Sequence, residues 1–368
     1  MKKTLIALAV LGVASTAMAA DVTLYGRIDT GLAYKSVKVD GKDRVNTTEM
    51  TSGWSTGSRW GIKGAEDLGN GLKVGFVLES GFTSDDGALN NDGRLFGRES
   101  VVYLSGDLGT LYAGRLGSIA SDAGSIGLLG NTSVFGNCYG LATAKGSTGS
   151  AWARHDNTLA YVTPSYSGLQ ASFMYSMKSN SVAKDADTGE LKDKGTENKG
   201  NTNRYAAFGL KYAGGPLTLV LAADYTLKAN VAGGADPDDA FTVTAGGNYK
   251  FDAATVYAKA NYFKDTTDAL DTFGLIKDAG LKALKGYGLE LGVKVPAAGG
   301  NVMAAVGYRD AEEEATNIDC KRYNLGLGYT YAFSKRTNVY GAVGYAQEEV
   351  GAKDGDGYQV GIGLVHKF

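Results

Sequence analysis

Arg322-Tyr323-Asn324-Leu325-Gly326-Leu327-Gly328-Tyr329-Thr330-Tyr331-Ala332-Phe333 decides the fold. Every large apolar side chain falls on odd positions, while the even positions hold Arg322, Asn324, Gly326, Gly328, Thr330 and Ala332. A period of two is that of a strand whose faces meet different surroundings. The same split recurs at 286–295, with Tyr287, Leu289, Leu291, Val293 and Val295 opposite Gly286, Gly288, Glu290, Gly292 and Lys294. At the C-terminus Tyr358, Val360, Ile362, Leu364 and Phe368 oppose Gln359, Gly361, Gly363 and Lys367, with His366 the exception.

Working outward, such segments are read near 22–35, 57–67, 72–82, 94–105, 110–116, 153–163, 169–178, 203–213, 217–227, 240–250, 254–263, 285–295, 301–310, 321–333, 337–347 and 357–368. About ten residues is the length of a tilted strand crossing a bilayer, and an even number suits a single-chain bacterial barrel. Short Gly/Asn/Asp turns, such as Asp67-Leu68-Gly69-Asn70-Gly71, alternate with long polar stretches at 36–56, 179–202, 228–239, 264–284 and 311–320. Tyr and Phe gather at segment ends, where aromatic girdles meet the lipid interface. The expected fold is all-β: a sixteen-stranded antiparallel transmembrane β-barrel with short turns at one end and long loops at the other.

Composition agrees. Among 368 residues there are 54 Gly and only 4 Pro, which disfavours long helices and Pro-rich disorder alike. A formal charge of −2 lacks the basic excess of a nucleic-acid binder. Met1-Lys2-Lys3, the apolar run Leu5 to Val13 and Ala17-Met18-Ala19 form the three parts of a secretory signal, so residues 1–19 are expected to be cleaved and 20–368 to form one barrel domain. Loss of Lys2 and Lys3 leaves 35 basic against 39 acidic side chains, net −4.

Asp21-Val22-Thr23-Leu24-Tyr25-Gly26, Gly64-Ala65-Glu66-Asp67-Leu68-Gly69-Asn70-Gly71-Leu72, Gly106-Asp107-Leu108-Gly109 with Tyr112-Ala113-Gly114-Arg115, and the terminal Phe368 together resemble the Gram-negative general porin family, in particular its trimeric sixteen-stranded beta-proteobacterial members. The resemblance implies a homotrimer in the outer membrane among its lipids and lipopolysaccharide, and a third external loop folded into each lumen. It also implies delivery by periplasmic chaperones and a last strand, ending in Phe368, read by the barrel-assembly machinery.

A barrel of this size keeps an aqueous channel, so the expected function is passive passage of small hydrophilic solutes and ions, tuned by width and wall charge. Taking the parity opposite the lipid face in the first five segments gives Arg27, Arg59, Lys63, Lys73, Arg94, Arg98 and Arg115 against Asp29 and Glu79. The longest stretch without a strand pattern, 117–152, carries Asp122. Placed in the lumen by the resemblance, it sets Asp122 opposite the arginines, so the constriction is expected at Arg27, Arg59, Arg98, Arg115 and Asp122, with a mild preference for anions. The alternatives are bases that pair with carboxylates or line a wide, screened wall, and a channel selective for sugars or one anion.

Cys138 lies in the long loop and Cys320 before the fourteenth segment; a disulfide pinning the loop and two buried thiols both fit the spacing. Asp354-Gly355-Asp356-Gly357 lacks the later acidic ligand of a calcium loop and reads as a turn. Acidic external loops suggest at most weak divalent-cation binding. His155 is the one imidazole with any claim to catalysis, and no catalytic, cofactor-binding or metal-ligating residue is assigned. Enzymatic and purely structural or adhesive barrels are the remaining rivals.

Overall fold

The computed structural model describes residues 21–147, 153–184, 189–230, 236–266, 274–276, 281 and 283–368. The leader expected at 1–19 lies outside the described residues. Seventeen strand segments form one sheet. They are β1 (Thr23–Val39), β2 (Val45–Ser52), β3 (Arg59–Gly69), β4 (Leu72–Gly81), β5 (Glu99–Gly106), β6 (Gly109–Gly117), β7 (Arg154–Val162), β8 (Leu169–Ser176), β9 (Arg204–Gly214), β10 (Leu217–Leu227), β11 (Ala240–Lys250), β12 (Thr255–Thr266), β13 (Leu284–Ala297), β14 (Gly300–Glu313), β15 (Ile318–Ala332), β16 (Thr337–Val350) and β17 (Lys353–Lys367).

Each neighbouring pair is antiparallel, and β17 returns to β1 in register from Arg27↔Lys367 to Val39↔Gly355, which closes the cylinder. Phe368 completes the seam by exchanging two backbone hydrogen bonds of 3.0 Å with Gly26. Closure joins the first strand to the last, the condition for a sheet in lipid. Seventeen segments make sixteen staves because β2 and β3 share one. β1 pairs with β2 from Thr30↔Ser52 to Val37↔Val45 and with β3 from Thr23↔Lys63 to Arg27↔Arg59, the two being separated by an inward bulge at 53–58.

The outer face is the lipid-facing parity. Leu24, Leu32, Leu325, Leu327 and Ile362 are each more than half exposed. Covering one such side chain with hydrocarbon is worth about 1.5–3 kcal/mol, so a belt of this extent requires a membrane. On successive staves β12 to β17 and then β1, Tyr262, Tyr287, Tyr308, Tyr323, Tyr345, Tyr358 and Tyr34 mark one interface. Their rings approach to 6.2 Å for Tyr287–Tyr308, 5.1 Å for Tyr308–Tyr323 and 6.0 Å for Tyr34–Tyr358.

Three sequence expectations are corrected. The stretch 36–56 is not all loop: β1 runs on to Val39 and β2 lies within it. The long loop expected at 311–320 shrinks to a tight connection, because β14 and β15 extend to Glu313 and back to Ile318. Asp354–Gly357 is the start of β17 rather than a turn, and Asp356 pairs there with Arg44 at 2.7 Å.

Candidate functional site: the channel constriction

After β6 the chain turns inward, and its described part, 118–147, lies along the inside of the wall. Its apolar residues account for apolar inward positions that would otherwise line water. Ile119, Ala120, Ile126, Leu128 and Leu129 pack on Val101, Ala160, Met174, Tyr205, Ala207, Val220 and Ala222 of β5 to β10. Further on, Phe135, Tyr139 and Ala142 pack on Trp54, Met303, Ala305, Tyr340 and Ala342. The wall makes room with glycine: a Cβ on Gly326 would stand 2.0 Å from the Ala142 carbonyl oxygen, and one on Gly344 2.1 Å from the Ala142 nitrogen.

Inward polar side chains hold the loop's backbone. Asn248 Nδ2 donates to the Asn131 carbonyl at 2.8 Å, and Asn324 Nδ2 to those of Leu141 and Thr143 at 2.9 and 3.0 Å. Glu99 accepts from the Ser125 N–H at 3.2 Å and Gln359 from the Leu141 N–H at 3.1 Å. Glu290, itself 2.6 Å from Lys259, accepts from the Ser133 hydroxyl at 2.5 Å. Buried groups of this kind cost about 1–3 kcal/mol each when left unpaired, so the loop is fixed across the lumen.

Between this loop and the β1–β5 wall is a cavity of about 890 Å³. Its charged lining comprises Arg27, Arg59, Lys63, Arg98, Arg154 and Lys294 against Glu79, Glu99 and Asp122. Glu79 is the most engaged acid: it takes Arg98 Nε at 2.7 Å, lies 3.7 Å from Arg59 Nη1 and accepts from the Tyr25 hydroxyl at 3.1 Å. Arg27 bonds Thr56 Oγ1 at 3.2 Å, and Lys63 Nζ sits 5.3 Å from the centre of the Tyr25 ring. Neither cation has a carboxylate within 4 Å among the described residues, and nor has Lys294.

In the loop, burial raises the Asp122 carboxyl above its usual range, against the pull of Lys145 and Arg154, and the Asn137 N–H bonds it. Burial lowers Lys145 to about 8 and pushes the Cys138 thiol up to about 12.

Arg27, Arg59, Arg98 and Asp122 thus face one cavity. Arg115 does not. It shares the outward parity of Leu111 and Ala113, pairs in register with Ser100, and bonds Asp156 Oδ1 at 2.6 Å and the Gly97 carbonyl at 2.8 Å. Arg94 joins it on Asp156 at 2.9 Å, and Lys73 lies exposed beside a short turn. Asp29, read as a second lumen acid, is fully buried. Arg154, the first residue of β7 and so beyond the first five segments, also lines the cavity and donates from Nε to the Arg98 carbonyl at 2.9 Å.

Cys138 and Cys320 are free thiols, so no disulfide pins the loop. Cys138 packs beside the Trp54–Tyr340 group and Cys320 among Phe263, Ile276 and Leu284. The sequence also holds one G-x-S-x-G, Gly53-Trp54-Ser55-Thr56-Gly57. It forms the inward bulge rather than a strand-to-helix elbow, and Ser55 Oγ donates to the Tyr139 hydroxyl at 2.8 Å. His155 is stacked on Tyr205 at 3.7 Å, and His366 bonds Thr337 at 2.9 Å.

A closed barrel with a loop fastened across its lumen is the build of a diffusion channel, and comparison with known proteins decides the family. The family described as Gram-negative porin matches residues 4–365. The chain belongs to that family. An outer membrane porin protein of Bordetella pertussis is 36% identical, with all of both chains covered. Outer membrane porin protein 32 of Delftia acidovorans is 32% identical over 95% of this chain and 90% of its own. Among solved structures, one titled an anion-selective porin from Comamonas acidovorans superposes with a TM-score of 0.67 at 25% identity, covering 95% of this chain and all of that one. This porin is therefore an outer-membrane channel for passive diffusion of small hydrophilic solutes.

Proposed function

We propose that the channel prefers small anions, with Arg27, Arg59, Arg98 and Arg154 lining the narrow part of the path. The observation that carries this reading is an asymmetry of pairing. Glu79 is occupied by two arginines, Asp122 and Glu99 bond the backbone of the inner loop, and among the described residues Arg27, Lys63 and Lys294 have no carboxylate within 4 Å. Guanidinium and ammonium groups stay charged at neutral pH, so an anion entering the cavity meets uncompensated positive charge. The anion-selective title of the structurally similar Comamonas porin supports the same sign.

The reading includes a cleaved leader at 1–19 and escort by periplasmic chaperones. It also includes recognition of the Phe368-ended strand by the barrel-assembly machinery, and a homotrimer set in lipopolysaccharide. It assigns no catalytic centre: the G-x-S-x-G serine meets a tyrosine and His155 is packed on a ring. Liposome swelling tests it. Proteoliposomes are expected to admit a small monocarboxylate faster than an ammonium solute of equal mass, and the reverse order overturns the reading.

A further inference from the structure

Among the described residues, the bulge at 53–58 divides one stave into two strands, and it reaches both the cavity and the inner loop. Residues 53–58 leave the wall at Gly53, whose φ of +68° favours glycine, and Trp54 enters the lumen. The Trp54 ring lies against Gly361, where a Cβ would stand 2.7 Å from it, and packs with Tyr139 and Tyr340 at 5.6 and 5.9 Å. The Trp54 carbonyl accepts the Tyr139 N–H at 2.6 Å, so the bulge clasps the inner loop.

The bulge hangs on Asp29. One carboxylate oxygen accepts the N–H groups of Ser55 and Thr56 at 2.8 and 2.7 Å, and the other accepts the Tyr340 hydroxyl at 2.6 Å. The Gly53 N–H reaches the Asp29 carbonyl at 3.0 Å. Thr56, fixed in this way, accepts through Oγ1 from Arg27 Nη1 at 3.2 Å and from Arg59 Nη2 at 3.0 Å. A single hydroxyl therefore holds two of the cavity's cations. Without it, Arg59, already 3.7 Å from Glu79, can close that ion pair and withdraw its charge from the path.

We propose that Thr56 and Asp29 are positioning residues of the channel. Asp29 sets the bulge, and Thr56 Oγ1 keeps Arg27 and Arg59 turned to the water path rather than collapsed on the acid. This rests on the anion-preferring reading and deepens it.

The experiment is the zero-current potential of the purified channel in a potassium chloride gradient, for native protein, Thr56→Val, Thr56→Ser and Asp29→Asn. Native protein is measured first, and a channel with no anion preference overturns both readings. Thr56→Val keeps the shape and removes the acceptor. It is expected to lower the chloride-to-potassium permeability ratio about twofold, as withdrawal of one lumen charge does, with the barrel's heat resistance unchanged. Thr56→Ser is expected to restore the native ratio. Asp29→Asn, which keeps one acceptor oxygen where the carboxylate offers two and removes its charge, is expected to lower it as well. If it fails to fold, the Thr56 pair decides. An anion-preferring native channel whose ratio is untouched by Thr56→Val, or a serine variant that fails to restore it, overturns the positioning role and leaves the anion reading standing.

Discussion

Neutralising Arg27 and Arg115 separates a lumen charge from a wall charge. Arg27 lies near the start of β1 and Arg115 near the end of β6; Arg27 faces the cavity and bonds Thr56, whereas Arg115 faces outward and is paired to Asp156. A unit charge roughly 8 Å from a passing ion changes its energy by about 0.5 kcal/mol at a water-like dielectric. Screening over a Debye length of about 10 Å at 0.1 M leaves about 0.2 kcal/mol, favourable for an anion and unfavourable for a cation. The permeability ratio then changes by about twofold at 0.1 M and about fourfold at 0.01 M, where the Debye length is about 30 Å. Arg27→Gln is expected to lower the chloride-to-potassium ratio by these amounts, the effect growing as salt is diluted. Arg115→Gln is expected to leave it nearly unchanged, because Asp156 retains Arg94 at 2.9 Å and the pair lies off the path. Bilayer recordings at both concentrations give the ratios. An Arg115→Gln shift as large as that of Arg27→Gln, or one for Arg27→Gln that does not grow on dilution, refutes the reasoning.

Gly326→Val places a side chain where the Ala142 carbonyl lies 2.0 Å from the Cβ position, so the inner loop must leave the wall. Lower and noisier single-channel conductance is expected, and a native trace contradicts the packing. Asn324→Leu leaves the carbonyls of Leu141 and Thr143 without that donor, at a cost of about 2 kcal/mol; open-channel noise is expected to rise while the barrel's heat resistance falls only slightly. Lys145, depressed by burial from an ordinary lysine value to about 8, is charged below that pH and neutral above it. Anion preference is therefore expected to fall between pH 7 and pH 9, as measured by zero-current potentials, and Lys145→Met is expected to abolish the change. Both cysteines are free and Cys138 is raised to about 12, so Ellman titration without reductant is expected to find two thiols after denaturation and slow reaction before it.

The staves were legible because lipid and water impose opposite demands on alternate positions, and Tyr323 to Phe333 states both. β2 was not, because Val45-Asn46-Thr47-Thr48-Glu49-Met50-Thr51-Ser52 pairs on one side only, with β1, and its largely polar sequence carries no alternation. The ends of β14 and β15 were hidden for a related reason: Glu312, Glu313 and Glu314, with Thr316, Asn317 and Asp319 after them, put polar side chains on both parities. Arg27, Arg59 and Arg98 were readable from parity, since each sits beside or within a clear strand. Arg115 was not, because β6 carries large side chains on both parities, Leu111 on one and Tyr112 and Leu116 on the other, so its lipid face does not show in the sequence. The role of Asp29 was equally hidden, since an inward carboxylate reads the same whether it meets water or caps a bulge.

The zero-current potential of the native channel in a tenfold potassium chloride gradient tests the cationic constriction most directly. The pairing of charges around the cavity predicts a potential of the sign set by chloride, strengthening as both solutions are diluted. A potential set by potassium contradicts it.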